Sequence, residues 1–569
     1  MSEHEQRQVG AGDTGSERGV DRRAFLQYGA LGGLVVAGEG ARRRLPGRAD
    51  VAGVAGAGGA PGPAAAASPA FELEEVTVTQ LQEGMVAGRW TAHSLAEAYL
   101  ARIHELDPRL RSVIELNPDA LAIAAQLDAE RRSGHVRSPL HGVPMLIKDN
   151  IDTADRMATT AGSLALVGAR PRQDSFVAQR LRMAGAVLLG KTNLSEWATF
   201  RSTHSSSGWS GRGGQCGNPY ALDRTPCGSS SGSGAAASAN LAALAVGTET
   251  DGSIVCPSSA NSLVGIKPTV GLVSRAGIVP IAHSQDTAGP MARTVADAAV
   301  LLGVLDAADP RDPATVTHRA HTPADYTSAL DARGLKGARI GVARKNLFGY
   351  SPESDRIAEE AIAAMKSAGA VIVDPADIPH LGEYGDGEFE VLLYEFKADL
   401  NAYLASLAVA PVRTLADAIA FNSREALHEM PFFGQEIFVR AEAKGPLTDA
   451  PYLKALADNR RLAGPVGIDA VLKEHNLDAL VAPTGAPPWL IDLVDGDHDL
   501  GGASTSAAVA GYPHITVPAG YSFGLPVGIS FIGRAWSEPT LIRLAYAFEQ
   551  ATKVRRPPRL LATADLSHR

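Results

Sequence analysis

Residues 226–254 read PCGSSSGSGAAASANLAALAVGTETDGSI, a stretch rich in glycine and serine. A helix of small residues is predicted at about residues 233–240, and the apolar run at 241–246 is interpreted as a buried strand. Ser229 and Ser253 therefore lie on tight turns at opposite ends of one helix–strand unit. Gly252 allows the backbone to approach a bound molecule closely. Successive amides of residues 250–253 can form an anion-binding concavity.

Helix and strand patterns alternate on both sides of this stretch. Apolar runs predict strands at residues 143–147, 186–189, 338–343, 370–373 and 526–531. Between them, Thr91 is a predicted helix cap, and Asp174 is expected to cap an amphipathic helix at 175–184. The alternation favours an α/β core with helices on both faces of a sheet. Residues 325–460 are richer in charge and fit either a separate lid or an insertion, but the strand-like segments that follow them favour one continuous domain.

The composition is that of a globular protein, and its charge pattern does not indicate binding to nucleic acid or to anionic lipid. The chain has 569 residues, which by length alone would permit three or four domains. Its net charge is −9, with no long run of either sign. Nucleic-acid binding needs a basic face, and docking on anionic lipid needs a basic cluster, so we expect neither nucleic acid nor stable membrane association.

Three cysteines, Cys216, Cys227 and Cys256, match no zinc-binding spacing. We expect small buried thiols, and a single disulfide is left open. The 15 histidines form no ligand-spaced cluster, so no metal is predicted.

The N-terminal region differs from the rest of the chain. Arg22 and Arg23 precede a weakly apolar stretch at residues 24–38, which as a helix would span only about 22 Å, too short for a bilayer. The pattern resembles a twin-arginine export signal, although Asp21 and Gln27 depart from its usual form. The alternative is a disordered leader that merely contains two arginines. An Ala/Gly/Pro-rich run at 49–70 is expected to be a linker. We therefore predict an export signal and linker at residues 1–69, a folded domain at 70–569 and an exported protein.

Five ordered motifs carry a resemblance to a known family. They are GVPMLIKDN at 142–150, GKTN at 190–193, GSSSG at 228–232, TETDGSI at 248–254 and GIKPT at 265–269. In this order they resemble the amidase signature family, over about residues 79–554. The resemblance implies one large α/β domain whose mixed β-sheet is flanked by helices on both faces. Within the family, residues 226–228, 248–251 and 392–397 are similar to bacterial peptide amidases, which release ammonia from C-terminal peptide amides.

The family's roles transfer onto matching positions of this chain. The resemblance implies that Ser253 is the nucleophile, that Lys148 is the general base, and that Ser229, in a cis peptide, bridges the two. The backbone N–H groups of Thr250, Asp251, Gly252 and Ser253 would form the oxyanion hole. No cofactor is implied.

These residue types suit amide hydrolysis. A serine hydroxyl attacks an amide only when a base removes its proton, and lysine is a base only when neutral. Lowering a lysine pKa from about 10.4 to about 7–8 requires roughly 4 kcal/mol of differential solvation. The residues alone do not choose among Lys148, Lys191 and Lys267; only the resemblance selects Lys148.

Three other motifs compete with this interpretation. GAVLLGKT at 185–192 fits the Walker A pattern, but its middle residues form the predicted strand, where a phosphate loop needs a loop followed by a helix. GSSSG also fits the hydrolase nucleophile elbow centred on Ser230, but no strand precedes it. Asp495, Asp497 and Asp499 hint at calcium, but the glycine and glutamate of that loop are absent, and a solvated turn is expected.

We therefore expect a serine amidase that converts C-terminal peptide amides to acid and ammonia through an acyl-enzyme. The alternatives are another hydrolase of the family acting on aryl-acylamides or small amides, the amidotransferase component used in tRNA charging, and a non-catalytic amide-binding relic. The predicted export argues against the tRNA role. The expected partner is a small-molecule or peptide amide. Residues 432–436 and the loop 483–502 are candidates for the lining of its pocket, and the alternative for the aromatic side chains there is the core. The oligomeric state is left open.

Overall fold

The computed structural model describes residues 71–316 and 325–567. The predicted export signal and linker, residues 1–69, lie outside the described residues, so the boundary at residue 70 stays a prediction. No helix in the described ranges is long and apolar enough to cross a membrane.

One large mixed sheet organises the described chain. The strands of the described chain are β1 (Val113–Leu116), β2 (Pro144–Lys148), β3 (Val187–Thr192), β4 (Trp209–Ser210), β5 (Gly214–Gln215), β6 (Leu244–Glu249), β7 (Val264–Lys267), β8 (Thr287–Ala292), β9 (Arg339–Val342), β10 (Val371–Val373), β11 (Ala479–Pro483), β12 (His514–Ser522) and β13 (Leu525–Ile532). The eleven strands of the large sheet run in the order β1-β3-β2-β6-β8-β7-β12-β13-β11-β9-β10, and a small ribbon pairs β4 with β5. Strands β3, β2 and β6 are mutually parallel, and so are β11, β9 and β10. The strands from β6 to β11 through the centre pair antiparallel.

Helices cover this sheet. Strands β2, β3, β6, β7, β8, β11 and β13 are buried along their whole length, which requires cover on both faces. The α-helices are α1 (Val78–Val86), α2 (Ala92–Leu110), α3 (Ala120–Arg132), α4 (Phe176–Met183), α5 (Ser231–Ser238), α6 (Val255–Ala260), α7 (Val295–Leu305), α8 (Pro352–Ser367), α9 (Gly385–Ser406), α10 (Leu415–Arg424), α11 (Ala426–Glu429), α12 (Glu436–Glu442), α13 (Ala450–Ala463), α14 (Asp469–Glu474), α15 (Thr505–Ala510) and α16 (Glu538–Thr552). The expected single α/β domain with a large mixed sheet is confirmed.

The charged segment 325–460 belongs to this domain. Strands β9 and β10 from this segment extend the main sheet beside β11. Helices α9, α10 and α12 bury their own apolar cluster, which includes Leu393, Phe396 and Phe438. That helical layer forms one wall of the cleft described below.

One predicted helix cap is displaced by a residue. Ser175, not Asp174, caps α4, because its hydroxyl accepts a hydrogen bond from the Ala178 amide at 3.1 Å. The Asp174 carboxylate instead accepts hydrogen bonds from Arg182 and the Ala154 amide. The predicted cap at Thr91 is present.

Candidate active site

Lys148 lies at the end of β2 and is fully buried. Its Nζ donates to Ser229 Oγ at 2.7 Å and to Thr248 Oγ1 at 2.9 Å. Burial lowers its pKa to about 7, although the negative charges of Asp286 and Glu249 act in the opposite direction. Its hydrogen-bond partners are oxygens of neutral groups, so the neutral amine is accessible near physiological pH.

The two turns predicted from the sequence meet beside this lysine. The peptide bond between Gly228 and Ser229 is cis, as the resemblance implies. The Ser230 amide donates to the Ser253 carbonyl oxygen at 3.2 Å, which joins the two turns directly. Ser230 Oγ donates to the Thr248 carbonyl oxygen and accepts from the Thr248 amide, so it fixes the turns rather than facing the cleft. Within the described part of the chain, no hydrogen bond joins the hydroxyls of Ser229 and Ser253.

The turn at residues 250–253 presents free amides. Gly252 has a φ of +80°, a conformation that favours glycine. Across the described ranges, the backbone amides of Thr250, Asp251, Gly252 and Ser253 donate no hydrogen bond within the chain. Unpaired backbone donors at the edge of a cavity are suited to an anion or a developing oxyanion.

Glu249 shapes the end of this turn. Its Oε2 accepts from the amides of Ile254 at 2.7 Å and Val255 at 3.0 Å, at the start of α6. Burial raises the pKa of this carboxyl group. A carboxylate on the first amides of a helix satisfies donors that would otherwise be unpaired, so Glu249 fixes where Ser253 leaves the turn.

A disulfide corrects the expectation of three small thiols. Cys227 and Cys256 are bonded, with their Cα atoms 5.9 Å apart, and Cys216 is a buried free thiol. Cys227 precedes Ser229 by two residues and Cys256 follows Ser253 by three. The bond therefore ties together the two turns that carry the predicted catalytic serines.

The structure distinguishes the three lysines that the sequence could not. Lys191 donates to the Ile151 carbonyl oxygen at 2.5 Å and to Thr159 Oγ1 at 2.9 Å. Lys267 donates to the carbonyl oxygens of Tyr512 and Pro268 at 2.7 and 3.1 Å. Burial lowers the pKa of both amines, to about 8 for Lys267. Of the three, Lys148 alone contacts Ser229.

An open cleft lies over the turns. The loop 483–502 lines it, as expected, whereas residues 432–436 do not, and Ile437 lies there instead. Asp497 and Asp499 line this open cleft and are half-buried, and Asp497 accepts hydrogen bonds from the Ser207 amide and Trp489. No lysine, arginine or histidine lies among the lining residues of this cleft. The lining includes Phe200, Thr250, Asp251, Ser253, Ile281, Leu392, Ile437, Trp489, Asp497 and Asp499.

The other motifs take structural roles. β3 runs through Val187–Thr192, so the Walker-like segment is a strand and not a phosphate loop. His283, Glu395 and Asp399, which the sequence did not bring together, have ligand atoms close enough for a metal ion. Direct hydrogen bonds account for this group: His283 Nδ1 lies 2.8 Å from Asp399 Oδ2, and Tyr452 donates to Glu395 Oε1 at 2.8 Å.

Comparison with known proteins agrees with this geometry. The Amidase family model matches residues 94–542. A probable amidase of Arabidopsis thaliana is 44% identical over 87% of this chain and 93% of its own length. The native peptide amidase of Stenotrophomonas maltophilia superposes with a TM-score of 0.81 at 55% identity, over 86% of this chain and 99% of that one. One component of the glutamyl-tRNA(Gln) amidotransferase of Chloroflexus aurantiacus is 36% identical over 85% of this chain and 98% of its own length.

The chain therefore belongs to the amidase family. It has the amidase signature fold and is an amide-hydrolysing enzyme.

Proposed function

We propose that the enzyme hydrolyses C-terminal peptide amides to the free peptide acid and ammonia, with Ser253, Ser229 and Lys148 as its catalytic residues. The observation that carries the proposal is the 2.7 Å contact of Lys148 with Ser229, beside a turn of free amides. The likeness to solved peptide amidases at about half identity over most of the chain supports the substrate class.

The reaction begins with proton transfer. Neutral Lys148 takes the proton of Ser229, whose oxygen takes the proton of Ser253, and Ser253 Oγ bonds to the amide carbonyl carbon. The Ser253 hydroxyl must turn towards Ser229 for this step, and the link between the Ser230 amide and the Ser253 carbonyl keeps the turns within reach.

The oxyanion is stabilised by the free amides of residues 250–253, each such donor typically contributing about 3–4 kcal/mol. The carbon–nitrogen bond then breaks, and the proton held by Lys148 returns through Ser229 to the leaving ammonia. Water attacks the resulting ester by the reverse relay, its proton passes to Ser253, and the peptide acid is released.

The charges of the cleft favour a substrate whose reacting end is an amide over a product whose end is a carboxylate. The charged side chains of the lining are Asp251, Asp497 and Asp499, all acidic. An amide is neutral, whereas the product carries a carboxylate that these groups repel. The lining thus supports binding of the amide and departure of the acid.

We also propose that the protein is exported by its twin-arginine-like leader. The Cys227–Cys256 disulfide supports this, because disulfides persist in oxidising compartments outside the cytoplasm.

The test is ammonia release from a short amidated peptide, with the same peptide as free acid to control for internal cleavage. Ser253→Ala should abolish release, whereas Ser423→Ala, on α10 and outside the cleft lining, should retain it. If amidated peptides release no ammonia while anilides or simple amides are hydrolysed, the peptide-amide assignment is wrong and another amidase substrate takes its place.

A further inference from the structure

The loop of residues 281–286, which leads into β8, holds the turn of free amides from outside. Asp286 Oδ1 accepts a hydrogen bond from Thr250 Oγ1 at 2.6 Å. Gln285 Nε2 donates to the Thr250 carbonyl oxygen at 3.3 Å. Thr250 is thus fixed through both its side chain and its carbonyl group, while its amide stays free.

Asp286 is itself held in a defined position. Its Oδ2 accepts from the amides of Ile281 at 2.9 Å and Ala282 at 3.0 Å. A carboxylate that receives two backbone amides on one oxygen has little rotational freedom, so the other oxygen is presented to Thr250 in one direction.

The same loop is fastened to the helix that forms one wall of the cleft. The His283 amide donates to Asp399 Oδ2 and the Ser284 amide to Glu395 Oε2, both at 2.9 Å. Asp399 and Glu395 belong to α9, whose Leu392 lines the cleft. The oxyanion turn and the substrate-facing helix are therefore joined through one short loop.

Asp286 also bears on the predicted base. Lys148 Nζ contacts Thr248 Oγ1 at 2.9 Å, two residues before the Thr250 that Asp286 holds. The carboxylates whose negative charges raise the pKa of Lys148, against the larger effect of burial, are Asp286, from the loop before β8, and Glu249, at the end of β6. Burial raises the pKa of Asp286 itself to about 6, so it carries its charge above that pH. On the neighbouring β3, the Lys191 ammonium is engaged with the Ile151 carbonyl oxygen and Thr159. Asp149, which follows Lys148 in the sequence, accepts hydrogen bonds from Thr160 and Arg212.

We propose that Asp286 is a positioning residue for amide hydrolysis: it orients Thr250 in the oxyanion turn and places one negative charge near Lys148. The inference rests on the proposed function. Asp286 acts through Thr250 and Lys148 and does not contact the reacting atoms. Its two roles are separable, because one depends on a hydrogen bond and the other on charge.

Two variants, Asp286→Asn and Thr250→Val, separate the roles. Asp286→Asn removes the charge and disturbs the hydrogen bonds; we expect kcat to fall about tenfold to a hundredfold with little change in KM. The acidic limb of the pH profile should also move lower by about half a pH unit, because a carboxylate no longer favours the charged lysine. Thr250→Val removes the hydrogen bond to Asp286 and keeps its charge. It should therefore lower kcat and leave the acidic limb of the pH profile unchanged.

Glu549→Gln is the matched control, since this buried carboxylate accepts a hydrogen bond from the Val295 amide and lies outside the cleft lining. It should lower Tm only. If Asp286→Asn does not fold, Asp286→Glu takes its place. This variant keeps the negative charge but changes the hydrogen-bond geometry, so kcat should fall while the acidic limb of the pH profile stays at the same pH.

The inference is overturned if folded Asp286→Asn has the kcat and the pH limb of the wild type, or differs from it only in Tm, as the control does. A substrate-free readout is the pH dependence of Ser253 modification by phenylmethanesulfonyl fluoride, whose limb should shift in the same direction. Failure of the proposed function looks different: the wild-type enzyme itself releases no ammonia from any amidated peptide.

Discussion

At the scale of the residue, the proposed chemistry depends on an amine that is buried without a direct carboxylate partner. Lys148 is surrounded by hydroxyl and carbonyl oxygens, which accept its hydrogen bonds but supply no full charge. Desolvation therefore dominates, and it brings the pKa to about 7. A lysine at the surface would be almost entirely protonated at that pH.

This environment predicts a direction for the pH dependence. In the proposed relay the base is the neutral form of Lys148. The value of kcat/KM should therefore be high above pH 7 and fall tenfold per pH unit below the lysine pKa of about 7. A profile of kcat/KM from pH 5 to 9 in buffers of constant ionic strength checks it. An acidic limb near pH 4, typical of a carboxylate base, would rule out neutral Lys148 as the group that titrates.

A pair of lysine variants tests the identity of the base. Lys148→Met should reduce kcat by about a thousandfold or more, because no other group accepts the proton. Lys191→Met removes an equally buried lysine that holds the Ile151 carbonyl oxygen, and should lower Tm while folded enzyme keeps measurable turnover. The assignment fails if Lys148→Met remains active or if Lys191→Met shows the greater loss of kcat per folded molecule.

At the scale of the element, the two turns that carry Ser229 and Ser253 are held by links that do not depend on the sheet alone. The Cys227–Cys256 disulfide connects the turn of Ser229 to α6, which follows Ser253. Ser230 adds hydrogen bonds to Thr248 on β6. The disulfide joins cysteines that are 29 residues apart in the sequence. Together with these hydrogen bonds, it fixes the position of Ser229 relative to Ser253.

Replacing the disulfide should therefore affect both stability and turnover. Cys227→Ser with Cys256→Ser is expected to lower the free energy of unfolding by about 2–4 kcal/mol and to reduce kcat more than KM. Chemical denaturation and steady-state kinetics measure the two effects. Cys216→Ala is the control: it removes the third sulfur, which is a free thiol outside the cleft lining, and should leave kcat unchanged. Wild-type kcat in the double variant would show that the disulfide does not position the serines.

Local pattern predicts some elements well and cannot predict others. The strands β2 and β3 follow from their apolar runs because they are buried on both faces. The helix cap falls on Ser175 instead of Asp174 because Arg182 engages the aspartate, a contact that sequence order does not reveal.

The candidate site shows the same division. The motifs point to its two serines, and the family resemblance selects its lysine among three candidates. The pairing of Cys227 with Cys256 and the contact of Asp286 with Thr250 depend on how distant segments pack, and no local pattern encodes either.

At the scale of the whole molecule, three distant parts of the chain build an acidic cleft. Residues 198–207, residues 250–260 and the loop 484–504 meet there, with α9 as a further wall. Burial raises the pKa of Asp499 to about 6, so this carboxylate is ionised at pH 8. A fixed negative charge in a partly buried cleft attracts cationic groups and repels anionic ones.

This charge predicts a substrate preference. Among amidated dipeptides that differ only in lysine, norleucine or glutamate at the first position, kcat/KM at pH 8 should fall in that order, with about tenfold between the extremes. Added salt should narrow the range. Asp499→Asn should narrow it as well, whereas Asp495→Asn, exposed on the same loop, should not. Equal rates for the three peptides would show that the cleft carboxylates do not reach the substrate.

The proposed export and the disulfide make one joint prediction about where the active enzyme is found. A twin-arginine signal carries folded proteins out of the cytoplasm, and reducing conditions there disfavour a disulfide. Replacing Arg22 and Arg23 with lysine should leave the protein inside the producing cell, with Cys227 and Cys256 open to thiol-reactive labelling. The wild-type protein should be recovered outside the cytoplasm with these two cysteines blocked. Substituting Arg42 and Arg43 provides the control, because they follow the apolar stretch and should not direct export. If both substitutions leave secretion unchanged, the paired arginines are not a signal, and the disulfide must form by another route.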